Sequence, residues 1–171
     1  MAVTFHEQFV GLFEAHYRRL FRYLNRLTGD GELAADLVQE AFIRLYNRGA
    51  SPDAPGPWLI SVAMNLLRNE SSTRARRSHL LTVARGEGVH SELAPLPDEQ
   101  MVRMETSLRV RKTIAEMSER ERQMLLLSAE GYSYREIALS LDLHEASVGV
   151  LLARARQAFR ECYEASADAS H

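Results

Sequence analysis

Cysteine occurs once in the 171 residues, at Cys162, tryptophan once, at Trp58, and lysine once, at Lys112. A single cysteine excludes an internal disulfide framework and a cysteine-built zinc site. No apolar run approaches the roughly 20 residues that a membrane-spanning helix needs, so no membrane insertion is expected. The opening residues, MAVTFHEQFV, lack both a basic n-region and an apolar h-region, and no signal peptide is read. The six histidines are scattered, and neither His16 nor His144 has a partner at metal-ligand spacing. There is no G-x-S-x-G, no H-E-x-x-H and no glycine-rich phosphate loop. Accordingly no catalytic residue, metal or cofactor is assigned, and the chain is expected to be a soluble cytoplasmic protein that is not an enzyme. Cys162 lies on the inner side of its helix by period and reads as a small buried hydrophobe.

At 46% hydrophobic and 26% charged residues the composition is that of an ordinary globular protein. The formal net charge of −2 conceals a distribution. Residues 1–80 carry 10 Arg and 8 acids, 81–107 carry 2 Arg and 5 acids, and 108–171 carry 9 basic and 10 acidic groups. The acidic middle also holds Gly86, Gly88, Pro95 and Pro97 and shows no hydrophobic period. A flexible acidic linker is therefore expected over 79–100, between domains at 5–78 and 101–164, with a disordered polar tail at 165–171.

Both domains read as helical. Phe9, Leu12, Phe13, Tyr17, Leu20, Phe21 and Leu24 recur with the helical period. Asp30 is a plausible N-cap for a second helix, whose apolar face holds Leu33, Leu37, Val38, Ala41, Phe42, Leu45 and Tyr46. A proline-rich turn at 51–57 leads into a third stripe through Trp58, Leu59, Val62, Ala63, Leu66 and Leu67. In the second domain Met104, Leu108, Ile114 and Met117 mark a helix with a looser period. Ser118 with Glu121, and Ser133 with Glu136, form two capping boxes, and Gly131 ends the helix between them. A tight turn at Asp142, Leu143 and His144 then precedes a last helix with Val148, Leu151, Leu152, Ala155 and Phe159. Two helices joined by so short a turn form a helix-turn-helix, a unit that lays its second helix in a DNA major groove. No stretch alternates like a strand, so the fold class is all-α.

Two polar features stand out. The segment NLLRNESSTRARR, from Asn65 to Arg77, carries Arg68, Arg74, Arg76 and Arg77 against Glu70 alone, with amides able to bond base edges. Four neutralised phosphates would give a salt slope of only about −3 to −4, roughly a hundredfold loss of affinity between 50 and 200 mM salt. That is too little for tight autonomous binding, so a partner should hold the chain on DNA. In DLVQEAFIRLY, Asp36, Gln39 and Glu40 share one helix face, which serves equally as a solvated stripe or as a docking face for a basic helix.

The order of DLVQEAFIRLY, PGPWLISVAMNLLRNESSTRARR, an acidic linker and MSERERQMLLLSAEGYSYREIALSLDL…LLARARQAF resembles the extracytoplasmic-function (group IV) sigma factors of the sigma-70 family. The match covers roughly three quarters of the chain. It implies sigma domain 2, a helical bundle, followed by sigma domain 4, and a role in promoter-specific transcription initiation by RNA polymerase. By resemblance, Asp36, Leu37, Gln39 and Glu40 contact the β′ clamp helices of core RNA polymerase, and domain 4 meets the β flap. Asn65, Leu66, Arg68 and Asn69 hold flipped bases of the −10 element, with Arg74, Arg76 and Arg77 beside its duplex. Ser133, Tyr134, Arg135, Ser147 and Arg154 are the corresponding −35 contacts on promoter DNA. An anti-sigma factor covering these surfaces is a further implied partner. Trp58 reads as a core residue in preference to a base wedge, and Glu87, Glu92, Asp98 and Glu99 as acids of the linker, either mimicking nucleic acid or simply solvated.

The recognition helix departs from the family pattern. Gly149 and Leu151 stand where the family commonly has the Lys and Arg that touch the −35 element, and Asp142 stands in place of the turn glycine. The −10 half is therefore expected to carry more of the promoter specificity. Two rivals remain at this point: a free-standing helix-turn-helix regulator that binds duplex operator DNA without polymerase, and a recombinase-type enzyme. The first leaves DLVQE unexplained, and the second lacks a catalytic constellation.

Overall fold

The computed structural model describes residues 4–81 and 98–168, for 73–81 and 168 through the backbone alone. Seven helices occupy these residues: α1 (Phe5–Thr28), α2 (Gly31–Arg48), α3 (Pro55–Leu81), α4 (Asp98–Glu116), α5 (Glu119–Ala129), α6 (Tyr134–Leu141) and α7 (Glu145–Asp168). No strand occurs among the described residues.

Local chemistry sets the helix ends. Asp30 caps α2 by accepting from the Leu33 N–H at 3.0 Å. Ser133 and Glu136 complete a reciprocal capping box on α6, Glu136 N–H to Ser133 Oγ at 3.2 Å and Ser133 N–H to Glu136 Oε2 at 2.8 Å. Ser118 caps α5 through the Glu121 N–H, but its hydroxyl donates to Glu121 Oε2 at 2.7 Å, so the box closes between side chains. Gly131, at φ +82°, lets Tyr132 N–H reach Leu127 O and its own N–H reach Ser128 O, both at 3.1 Å. Asp142 takes the left-handed conformation at φ 53°, the strain an aspartate tolerates better than most residues.

α1, α2 and α3 pack as a bundle over Leu20, Tyr23, Leu24, Val38, Phe42, Leu45, Leu59 and Ile60. α5, α6 and α7 form the helix-turn-helix unit over Met124, Leu127, Ile137, Val148 and Leu152, with α4 against α7. Each fully buried Leu or Ile contributes about 1.5–3 kcal/mol relative to exposure. Trp58 is half-buried against this core, with the Arg48 guanidinium 5.9 Å from its ring centroid.

The two halves share one apolar cluster: α1 packs on α5, and α3 packs on α6. The sequence carried no local sign of this closure. Three further differences have physical causes. α3 continues to Leu81 and α4 begins at Asp98, so helix occupies three residues at each end of the expected linker, and Asp98 and Glu99 sit at the N-terminal turn of α4, where acids favour a helix. Met104 and Leu108 are exposed, because α4 reaches the core only near its C-terminal end, through Thr113 and Ile114, with Met117 buried just beyond the helix. The expected tail at 165–171 is helical through Asp168, with Ser166 Oγ donating to Tyr163 O at 2.7 Å.

Candidate functional site

On α2, Asp36 and Gln39 are exposed, and Glu40 is half-buried beside Arg44, whose Nε lies 3.1 Å from Glu40 Oε1. Leu37 is 5% exposed and belongs to the core, so it supports this face but presents little surface of its own. Gln39 also borders an apolar groove of about 510 Å³ between α1 and α2, lined by Phe9, Phe13, Tyr17, Phe42, Ile43 and Tyr46. Phe13 and Phe42 meet edge-to-face with centroids 4.9 Å apart, and Phe9 meets Tyr46 at 5.1 Å. The periodicity placed these aromatics in the core, yet Phe13 and Tyr46 are exposed, as is Ile43 beside them. Period identifies a face but cannot say whether a further helix covers it.

On α3, Asn65, Arg68 and Asn69 are exposed and Leu66 is half-buried against the core. Arg68 Nη1 donates to Asn65 Oδ1 at 3.1 Å, which orients the amide and guanidinium together. The helix continues past them, but the side chains of Arg74, Arg76 and Arg77 lie outside the described residues, as do Glu87 and Glu92. Asn65 and Arg68 line a cleft of about 420 Å³ whose opposite wall is Glu119, Arg120, Gln123, Ser140, Leu141 and Asp142.

On the helix-turn-helix, Ser133, Tyr134, Arg135 and Arg154 are exposed. Ser147 is half-buried and donates its hydroxyl to His144 O at 2.7 Å. Gly149 lies beside Tyr134, and a Cβ built there would sit 3.5 Å from Tyr134 Cε2, an ordinary contact. Leu151 packs half-buried against the core, and the exposed apolar residue of the recognition helix is Val150. Leu151, at the position where the family commonly has a basic residue, is thus not an exposed apolar residue.

The residues that sequence reasoning missed join the two halves. Arg22 Nε lies 2.9 Å from Glu130 Oε2, and Arg26 Nη1 lies 2.7 Å from Glu130 Oε1. Arg19 Nη2 reaches Glu136 Oε1 at 3.0 Å while its guanidinium stacks 3.9 Å from the Tyr132 ring centroid. Burial pushes the Tyr132 hydroxyl up to about 12. Burial alone would raise the Glu136 carboxyl, but the Ser133 N–H and the Arg19 charge outweigh it and hold the group below its ordinary 4.5. Burial, reinforced by Arg19, lowers His16 from its ordinary 6.5, and its Nδ1 is buried without a hydrogen-bond partner. The available signal was the row of arginines at 19, 22 and 26, which share a helix face.

Among the described residues no group of three or more His, Cys, Asp or Glu could hold a metal ion, and no helix is long and apolar enough to cross a membrane. Residues 12–87 match the family model of Sigma-70 region 2, and residues 107–159 match that of Sigma-70, region 4. The chain is 31% identical over 155 residues to the RNA polymerase sigma-H factor of Pseudomonas aeruginosa, covering 84% of this chain and 79% of that protein. It is 29% identical over 154 residues to the ECF RNA polymerase sigma factor SigL of Mycobacterium tuberculosis, covering 87% and 85%. A third similar protein, the probable RNA polymerase sigma factor RfaY of Xanthomonas campestris, is 31% identical over 144 residues, but the matched segment spans only 35% of its length. Among solved structures, the sigma factor RpoE of Bartonella quintana, crystallised with the anti-sigma factor NepR, superposes with a TM-score of 0.60 at 19% identity. That superposition covers 94% of this chain and 96% of RpoE, and at such identity it speaks for the fold.

Proposed function

The chain belongs to the sigma-70 family of RNA polymerase sigma factors, as a member of the extracytoplasmic-function type, and we propose that it docks on core polymerase through α2 and opens promoters through α3. The reading is carried by the coincidence of the region 2 match with a polar face of exposed Asp36 and Gln39 and half-buried Glu40. Glu40 keeps Arg44 as a partner in the free chain, so a basic helix of the β′ clamp displaces that arginine on docking. Exposed pairs of this kind contribute about 0–1 kcal/mol, so the exchange costs little.

Asn65, Leu66, Arg68 and Asn69 then take the flipped bases of the non-template −10 strand. Extrusion of a base costs a few kcal/mol, and pocket contacts offset that cost only for the right base, which makes opening sequence-dependent. Arg74, Arg76 and Arg77 follow the backbone of the neighbouring duplex. Ser133, Tyr134, Arg135, Ser147 and Arg154 position domain 4 over the −35 region, and domain 4 meets the β flap. Residues 5–78 act as the polymerase and −10 unit, 79–100 as the linker, and 101–164 as the −35 unit. The chain forms and breaks no covalent bonds in this role, needs no cofactor, and works in the cytoplasm beside polymerase. An anti-sigma factor restrains it by covering the same faces.

The test is co-elution of the chain with bacterial core RNA polymerase, beside a Gln39→Ala/Glu40→Lys variant. Association of the wild-type chain, lost by tenfold or more in the variant, is the expected result, because a reversed charge meets the basic partner with repulsion worth several kcal/mol. Absence of association, together with tight autonomous binding to duplex DNA, would favour the free-standing regulator instead.

A further inference from the structure

We propose that this chain carries its own lock: the arginine row of α1 holds domain 4 against domain 2, and in that closed form the α3 face cannot receive promoter DNA. The inference rests on the reading of α3 given above and adds its regulation.

The lock is a set of charges on facing helices. Arg19, Arg22 and Arg26 follow one another at i, i+3 and i+7 along α1. Glu130 ends α5 with its side chain only 2% exposed, and both of its carboxylate oxygens face this row. A carboxylate so buried is stable only while its counter-charges are in place. Glu136 divides its two oxygens, Oε2 to the Ser133 N–H that starts α6 and Oε1 to Arg19. The first helix of the DNA-reading motif is thus capped by the same group that ties it to domain 2. The start of α3 also packs closely on these side chains, since a Cβ on Gly56 would lie 3.3 Å from Glu136 Oε1 and 3.4 Å from His16 Cε1.

The same interface is built to open. The side chains of Arg22 and Arg26 remain 54% and 53% exposed, so water and anions compete for them. Clefts of about 420 and 480 Å³ run along the junction. Both clefts include Arg68, and the first sets Asn65 and Arg68 opposite Glu119 and the Asp142 turn. Water reaches Asn65 and Arg68 there, but a nucleotide strand meets two carboxylates and the wall of domain 4. Opening removes that wall and frees the α6 face that packs on α3.

The experiment compares the full chain with Arg22→Gln/Arg26→Gln and with a charge-matched control, Arg103→Gln/Arg111→Gln, both at exposed positions of α4, which packs on α7. Small-angle scattering reads the radius of gyration, circular dichroism checks that helix content is kept, and a fluorescent single-stranded DNA of randomised sequence reads binding. The lock variant is expected to expand and to bind the DNA about tenfold more tightly than the control, the gain for a competent state held near a tenth of the population. Arg22→Lys/Arg26→Lys, which keeps the charges, should stay compact. An unchanged radius in the Gln variant, or binding equal to the control, overturns the proposal. Adding Asn65→Ala/Arg68→Ala to the opened variant separates the two claims. Loss of the gain assigns it to α3, whereas a gain that persists in an expanded chain sinks the α3 reading and leaves the charge lock standing.

Discussion

The α3 face and the α7 face are made of different materials. α3 presents Asn65, Arg68 and Asn69 within one and a half turns, amides and a guanidinium that can bond base edges. α7 presents Val150 next to Gly149, with Arg154 one turn further on and Tyr134 and Arg135 contributed by α6. An apolar side chain distinguishes a thymine methyl but neutralises no phosphate. Under the function proposed above, the difference gives the two faces unequal work, base reading at −10 and weaker positioning at −35. Replacing Asn65 and Arg68 together by alanine should therefore have the largest effect of any change at either face. Each lost base contact is worth about 1–3 kcal/mol, so open-complex formation by the reconstituted holoenzyme should fall by roughly a hundredfold. A loss no greater than that of Arg154→Ala would break the comparison.

The converse change adds charge where α7 lacks it. Gly149→Lys with Val150→Arg places two cations on the recognition helix, and the 3.5 Å contact with Tyr134 leaves room for the new Cβ. Leu151 is left alone because it packs against the core. Two added phosphate contacts steepen the salt dependence of −35 duplex binding by about 1.8 in log–log slope, roughly a tenfold gain over a fourfold drop in salt. Measurement of binding against salt concentration checks this directly. An unaltered slope would mean that α7 does not lie along the duplex.

Much of this contrast was legible in the sequence because it is local. The capping residues Asp30, Ser118 and Ser133, the stop at Gly131 and the left-handed turn at Asp142 depend on neighbours a few residues away, and each stands where its pattern indicates. The exposed polar positions on α2 and α3 were legible for the same reason. What the sequence withheld is non-local. Arg22 and Glu130 are 108 positions apart, and nothing in a helical period pairs them. The same blindness put Phe13 and Tyr46 in the core, although both are exposed, whereas the period that set Leu151 on the apolar stripe of the last helix agrees with its packing.

The two capping serines extend the comparison to stability. Ser133→Ala removes the backbone bond to Glu136 N–H and loosens a carboxylate also engaged by Arg19, whereas Ser118→Ala removes a cap with no tie to domain 2. An N-cap loss costs about 1 kcal/mol, or roughly 3 °C in melting temperature for a chain of this size. Ser133→Ala should exceed that value and also expand the radius of gyration, and Ser118→Ala should do neither. Equal effects in calorimetry and scattering would show that Glu136 caps α6 without bearing on closure.

The smallest effect concerns acid. His16 faces Arg19 from its own helix, Glu136 from α6 and the backbone of Gly56 from α3, and its imidazole is held below 6.5 chiefly by burial. A depressed value in the closed form means that the opened or unfolded chain binds the proton first. Stability is therefore fully present above pH 6.5 and declines as the pH falls through the lowered value. Glu136, depressed from 4.5, adds a second loss of the same sign at lower pH. The histidine's contribution falls between pH 7.5 and 5.5, so His16→Gln should flatten the pH dependence of the melting temperature in that window and leave the decline below pH 4.5 in place. A slope in the upper window that survives His16→Gln would move the acid sensitivity away from the domain junction, and Arg19 with Glu136 would then hold the closed form independently of the imidazole between them.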